Sequence, residues 1–295
     1  MTKLVKAELL KIRTTNTWWI FLIGALVFTG LAVALWVGVG DSQIDAAATA
    51  STDPFVPPEG VSQAELDQMQ RQYELEHDIN RTLVTVAANI YTSGQYFGLL
   101  FVMMLGTLLI TNEFYHQTAT TTFLTTPRRT TVILGKLATA MLAAGFFWVL
   151  STVISIAVGA IFFNAKGYDV QLGEWPVTRA ILLNGLAYAL WGVLGVGLGV
   201  LLRSQIGAVI TGAVVYVIGT FLIQNIVLAL YFLLDWKWVL DAMVAWPGVA
   251  SQVMISPEQP FEGSPEWWVG ALVLVGYGVV FGTIGTLITR RRDIS

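Results

Sequence analysis

Two histidines, His77 and His116, and no cysteine are what this sequence offers for metal-ligand or nucleophilic chemistry. With only two imidazoles a histidine-based metal site is not expected, and with no thiol there is no disulfide and no thiolate ligand. Neither histidine has the partner that an HExxH motif requires, and no GxSxG elbow occurs. A phosphate-binding loop of the GxxxxGK[ST] type is also missing: Gly135-Lys136 is followed by Leu137 and lacks the upstream glycine. The chain therefore carries no motif for hydrolysing ATP or another substrate alone. What remains is a polar, basic island at 112–136, NEFYHQTATTTFLTTPRRTTVILGK, set between two long apolar runs. Its only acid is Glu113. A Thr-rich stretch follows, then Pro127, Arg128 and Arg129, with Lys136 at the mouth of the next apolar run.

The elements that must hold this island are membrane spans. The 295 residues are 55% hydrophobic and 12% charged, against about 25% charged in a soluble domain. Six windows, 14–40, 82–112, 137–165, 180–202, 204–234 and 267–289, contain no Asp, Glu, Lys or Arg. Crossing a hydrocarbon core of ~30 Å takes about 20 helical residues, so each window is long enough. The fold class expected is an all-α polytopic membrane protein, one transmembrane domain over 1–295. Its spans lie near 18–40, 90–111, 137–163, 180–202, 206–234 and 267–289. The second is the weakest, because Asn89 to Gln95 is polar.

Orientation follows from the distribution of Lys and Arg. With the N terminus inside, 11 of the 16 basic residues fall on inner segments, while 16 of the 19 acids fall outside. Both termini are then cytoplasmic, 112–136 is an inner connection, and 41–89, 164–179 and 235–266 are extracytoplasmic. Tryptophans near span ends, among them Trp18, Trp19, Trp175, Trp267 and Trp268, agree with interfacial placement. A multi-pass protein of a bacterial cell membrane is the expected location; a cleaved signal peptide fits less well, since the apolar run from Trp18 to Gly40 is too long.

Along the chain, residues 1–17 predict a short basic helix lying in the inner interface, or simply a positive-inside flank. Residues 41–81 begin as a loop with Asp53, Pro54, Pro57, Pro58 and Gly60. Ser62 and Glu65 then have capping-box spacing, and a 3/4 apolar spacing from Leu66 to Ile90 predicts a projecting helix that runs into the second span. Gly195/Gly199 and Gly278/Gly282 have small-xxx-small spacing, suited first to packing within the bundle. Gln224 and Asn225 can bond between helices or line a pathway. The apolar stretch Val239 to Ile255, broken at Trp246-Pro247-Gly248, is too short to cross and predicts a re-entrant or interfacial helix pair. Ion-coupled carriers keep a titratable group at membrane depth, and the six windows hold none. Energy then enters from outside the bundle, or the protein is passive.

Glu113-Phe114-Tyr115-His116, Thr118, Leu124, Pro127-Arg128-Arg129, Gly135-Lys136 and the opening KAELLKIRTTNTWW together resemble the permeases of the type-2 ABC exporter family. The resemblance covers nearly the whole chain through its topology. It implies two permease copies, or two homologous chains, paired with two copies of a cytoplasmic ABC ATPase. ATP and Mg would sit on that partner, with no cofactor on this chain and no nucleic acid. It implies that 112–136 is the coupling loop, with Glu113, Phe114, His116, Thr118, Phe123, Leu124, Pro127 and Arg128 meeting the ATPase. Glu113 would pair with a basic residue there or cap the dipole of a helix over Thr118 to Leu124. Arg128 and Arg129 read more plainly as positive-inside anchors. Gln117 stands where relatives commonly have Gly, which predicts a looser turn after Glu113. Spans two and five would line the pathway, with Tyr96, Phe97, Thr107, Tyr216, Gln224 and Asn225 as its candidates and a lipophilic cargo. The alternative is a membrane scaffold or sensor whose outer 41–90 helical segment binds a ligand or partner, and a secondary carrier or channel is disfavoured by the empty spans.

Overall fold

The computed structural model describes residues 2–50, 61–76, 78–118, 129–202, 204–234, 236, 238–258 and 265–291. All regular structure among them is helical, and six helical segments are long and apolar enough to cross a membrane. The protein is an all-α, multi-pass membrane protein. The helices are α1 (Thr2–Thr14), α2 (Thr17–Ala50), α3 (Gln63–Glu76), α4 (Ile79–Thr92), α5 (Gln95–Tyr115) and α6 (Arg129–Lys166). After them come α7 (Trp175–Leu202), α8 (Gln205–Val214), a π-turn (Val215–Gly219), α9 (Thr220–Leu234), α10 (Trp238–Met243), α11 (Pro247–Ile255) and α12 (Trp267–Arg291).

The first span outruns its apolar window. At 1.5 Å per residue the 34 residues of α2 reach ~51 Å, well past a ~30 Å hydrocarbon core. The loop expected from residue 41 is helical as far as Ala50. Asp41 and Asp45, one turn apart, grip Lys166 at the end of α6 at 2.6 and 2.7 Å. Ile44 and Ala47 are buried, and the Ala-rich stretch favours helix. Further on, Ser62 and Glu65 close the expected capping box, with Ser62 N donating to Glu65 Oε2 at 3.0 Å. The projecting helix does not run on into the second span. It stops at Glu76, and Asp78 starts α4 by accepting from the backbone N–H groups of Asn80 and Arg81. An Asp side chain competing for backbone donors is the physical reason for the restart.

Residues 79–89, which the sequence places outside the spans, pack into the bundle. Leu83, Val86, Ala87 and Ile90 of α4 are buried with Val33 and Ile44 of α2, Phe163 of α6 and Val177 of α7. Between α4 and α5 the chain breaks at Ser93-Gly94, where polarity had weakened the sequence signal. Backbone groups freed in an apolar surrounding need partners. Gly94 O accepts from Gly98 N at 3.0 Å and also from the Tyr188 hydroxyl at 3.0 Å, and the Gln95 side chain finds its own partner in Ser251 O at 3.1 Å.

Close backbone approach builds the centre. A Cβ at Gly195 would lie 2.1 Å from Met103 O, one at Gly199 2.7 Å from Thr107 O, and one at Gly106 2.4 Å from Gly192 O. Small residues thus let α5 and α7 meet along their length, the packing role expected of the Gly195/Gly199 spacing. The apolar stretch after residue 238 forms the broken pair α10 and α11, and α12 closes on α11 at Gly270, whose Cβ would meet Ala250 O. Ile12 of α1 and Ile288 of α12 join Leu109 and Ile110 of α5 in one cluster, so the two ends of the chain share one end of the bundle.

Candidate functional site

At that end α5 stops in a tight turn. Gln117 has φ 56°, the N–H of Thr118 donates to Glu113 O at 2.9 Å, and that of Gln117 donates to Phe114 O at 3.2 Å. This bond pair is a Schellman closure, which ordinarily takes Gly at the left-handed position. The looser turn expected from Gln117 is therefore corrected: the turn is closed, and a non-glycine residue is held left-handed to close it.

The turn fixes Glu113 one helical turn before it, facing inward and 7% exposed. A carboxylate at a helix C-terminus opposes the helix dipole and needs cations. Two lysines supply them: Lys11 Nζ at 2.7 Å and Lys136 Nζ at 3.0 Å from Glu113 Oε1. Lys136 stands in the second turn of α6 and is 1% exposed. Its ammonium also donates to Glu8 Oε2 at 2.9 Å and to Leu109 O at 2.9 Å, three acceptors for three protons. Glu8, equally buried, takes Lys11 on its other oxygen at 2.8 Å. Gly135 lets α1 rest directly on α6, since a Cβ there would lie 2.5 Å from Leu4 Cδ2.

Glu8, Lys11, Glu113 and Lys136 form a neutral ring of alternating charge that ties α1, α5 and α6 together. Burying such charges unpaired costs several kcal/mol each; the alternation of charge and the hydrogen bonds between the members offset much of that cost. Burial pulls the Lys11 ammonium pKa down, but its bonds to Glu113 and Glu8 outweigh this and hold it above the ordinary lysine value. Among the described residues no group of His, Asp and Glu could hold a metal ion. The arrangement of the ring suits mechanical linkage between helices.

The other expected contact residues scatter around it. Phe114 is half-buried beside Leu109, Ile133 and Ile288. His116 is exposed and stands edge-on to Tyr115, with ring centroids 5.0 Å apart. Thr118 is exposed, while Phe123, Leu124, Pro127 and Arg128 lie outside the described residues. Sequence reasoning missed Glu8 and Lys11 as members of the ring with Glu113, and read Lys136 as the residue entering the third span, without a carboxylate partner. A signal existed: of three acids on the inner segments, two, Glu8 and Glu113, are in the ring.

Of the pathway candidates, three meet: the Tyr96 ring centroid lies 5.2 Å from those of Phe97 and Tyr216. The Tyr216 hydroxyl also donates to Tyr96 O at 2.7 Å. Phe97 stacks on Phe28 of α2 with centroids 4.1 Å apart. Thr107 is sealed in the α5–α7 seam, its hydroxyl within 3.0 Å of Met103 O and Gly195 O. Gln224 reaches across to Gln252 at 2.6 Å, and Asn225 bonds back to Phe221 O of its own helix. The reason is shared: polar groups in an apolar bundle take the nearest internal partner. No protein-family model matches this chain, and a comparison with curated proteins finds no match.

Proposed function

We propose that this chain is the permease subunit of an ABC exporter, a multi-pass protein of a bacterial cell membrane. Two copies, or this chain with a homologous permease, work with two cytoplasmic ATPase subunits that carry ATP and Mg. One observation carries the reading. The two helix ends that flank residues 119–128 are bolted together by Glu113 and Lys136, with Glu8 and Lys11 of α1 completing the bolt. A push on residues 119–128 from the cytoplasm would be transmitted to three helices as one body instead of being lost in loop bending. Charge-free spans and the lack of a nucleotide-binding motif support an external energy source. The apolar interior favours a lipophilic cargo.

The test is co-purification from detergent, in which a cytoplasmic ATPase should stay with this chain. Phe123→Ala combined with Leu124→Ala should then cut stimulated ATP turnover by roughly tenfold, the effect of losing an apolar anchor at an interface, with thermal stability unchanged. Unaltered turnover in that variant rejects the coupling role of the loop. A chain that purifies alone and stimulates no ATPase rejects the exporter reading.

A further inference from the structure

We propose that two copies of this chain pair in the membrane along the lipid-facing stripe of span five, with Asn225 of α9 hydrogen-bonded to the partner's Asn225. The six spans contain four amides, Gln95, Asn184, Gln224 and Asn225. Three of them turn inward: Gln95 donates to Ser251 O, Gln224 meets Gln252, and Asn184 is buried. Asn225 alone of the four is exposed. One of its Nδ2 protons goes to Phe221 O of its own helix at 2.8 Å. The other proton and Oδ1 have no partner among the described residues. Leu234, beside the interfacial Trp236, lies ~14 Å of helix beyond Asn225, so the amide sits well inside a ~30 Å hydrocarbon core. Hydrocarbon offers it no hydrogen bond, and leaving it unpaired there is costly.

The surroundings of the amide select its partner. Its neighbours one and two turns away, Ile218, Phe221, Leu222, Leu228, Ala229 and Phe232, are all exposed and all apolar. Spacings of three, four and seven on either side of one polar residue make a helix–helix seam in which a lone Asn fixes the register. Water does not account for the amide, because a hydrated lining would carry further polar groups along that stripe. Copies of a multi-pass protein share one orientation in the membrane. A two-fold axis along the membrane normal then brings identical residues face to face at equal depth. A polar residue at such a contact has to complement itself: a carboxylate or an ammonium repels its twin, whereas a carboxamide offers its twin both a donor and an acceptor. The pairing deepens the two-copy arrangement proposed above and rests on that part of it; it selects a second copy of this chain over a homologous one, and it needs no ATPase.

The experiment uses the full chain, which has no cysteine of its own. Ala229→Cys places a thiol one turn from Asn225 on the stripe, and Leu35→Cys, at a position 71% exposed on α2, is the control elsewhere on the lipid-facing surface. In membranes of the expressing cell, copper phenanthroline should convert Ala229→Cys to a covalent dimer and leave Leu35→Cys monomeric. In phosphatidylcholine vesicles, energy transfer between copies carrying donor and acceptor fluorescent proteins reports the association as lipid is added. Asn225→Leu should weaken that association about tenfold, the scale of an amide bond between helices in a membrane, with the thermal midpoint of the dissociated chain unchanged. Asn225→Gln, which keeps the carboxamide, should lose less. Cross-linking of Ala229→Cys no better than that of Leu35→Cys, undiminished association of Asn225→Leu, or a wild type that does not associate at any lipid dilution would each overturn the proposal. Dimers that survive Asn225→Leu reject this seam and leave the exporter reading standing. A chain that pairs through Asn225 but retains no ATPase rejects the exporter reading and leaves the seam.

Discussion

Gln117 keeps a left-handed backbone so that α5 can end in a closed turn, at a steric cost that glycine would not have. Gln117→Gly should therefore stabilise the protein by about 1 kcal/mol, seen as a raised thermal midpoint in detergent, and Gln117→Val should lower it. The ion ring behaves differently. Lys136→Met leaves Glu8 and Glu113 short of a buried cation and should cost ~3–5 kcal/mol. Pairing it with Glu8→Leu removes both charges and should recover most of that loss, because Glu113 keeps Lys11. Thermal unfolding of the two single variants and the double gives the coupling directly, and strict additivity would show that the pair does not act as a unit. The ring was only half legible in the sequence. Glu113 stood out as the lone acid of a basic island, but the ring joins it to the i,i+3 pair Glu8 and Lys11 of α1 and to Lys136 of α6, and no local pattern links those three stretches.

At the scale of elements, the contact between α5 and α7 depends on glycines that bring backbone against backbone. Gly195→Ala would press a methyl group to within 2.1 Å of Met103 O, and neither helix can move without disturbing the Thr107 bond to Gly195 O. A loss of about 1–3 kcal/mol is expected, visible as a lower thermal midpoint, whereas Gly276→Ala, with open space around it, should have little effect. Two of the element boundaries that sequence reading misplaced share one cause. The helical extension of α2 to Ala50 and the burial of residues 79–89 depend on partners elsewhere, Lys166 and the apolar faces of α6 and α7, whereas the restart at Asp78 is a local cap. Composition at 41–90 is mixed enough that only those contacts decide helix or loop.

For the whole molecule, orientation can be read with a reagent. The sequence has no cysteine, so Ser62→Cys and Asn16→Cys, both at exposed positions, report independently on the two ends of the bundle. In intact cells an impermeant maleimide should label Ser62→Cys, and should label Asn16→Cys only after permeabilisation. The reverse pattern would put the ion ring and the 112–136 connection outside, and no cytoplasmic ATPase could then reach them. The sequence by itself determined the membrane class, the number of crossings and their approximate places, and the broken helix pair before the last span. Those features follow from the cost of placing charge and unpaired backbone in hydrocarbon, which acts on each stretch of chain independently. Tertiary structure alone decided that the charges at one end close into a ring and that Thr107 is sealed in a seam. Each of these is a matter of which side chain lies nearest across helices far apart in the chain, and periodicity along one helix carries no such information.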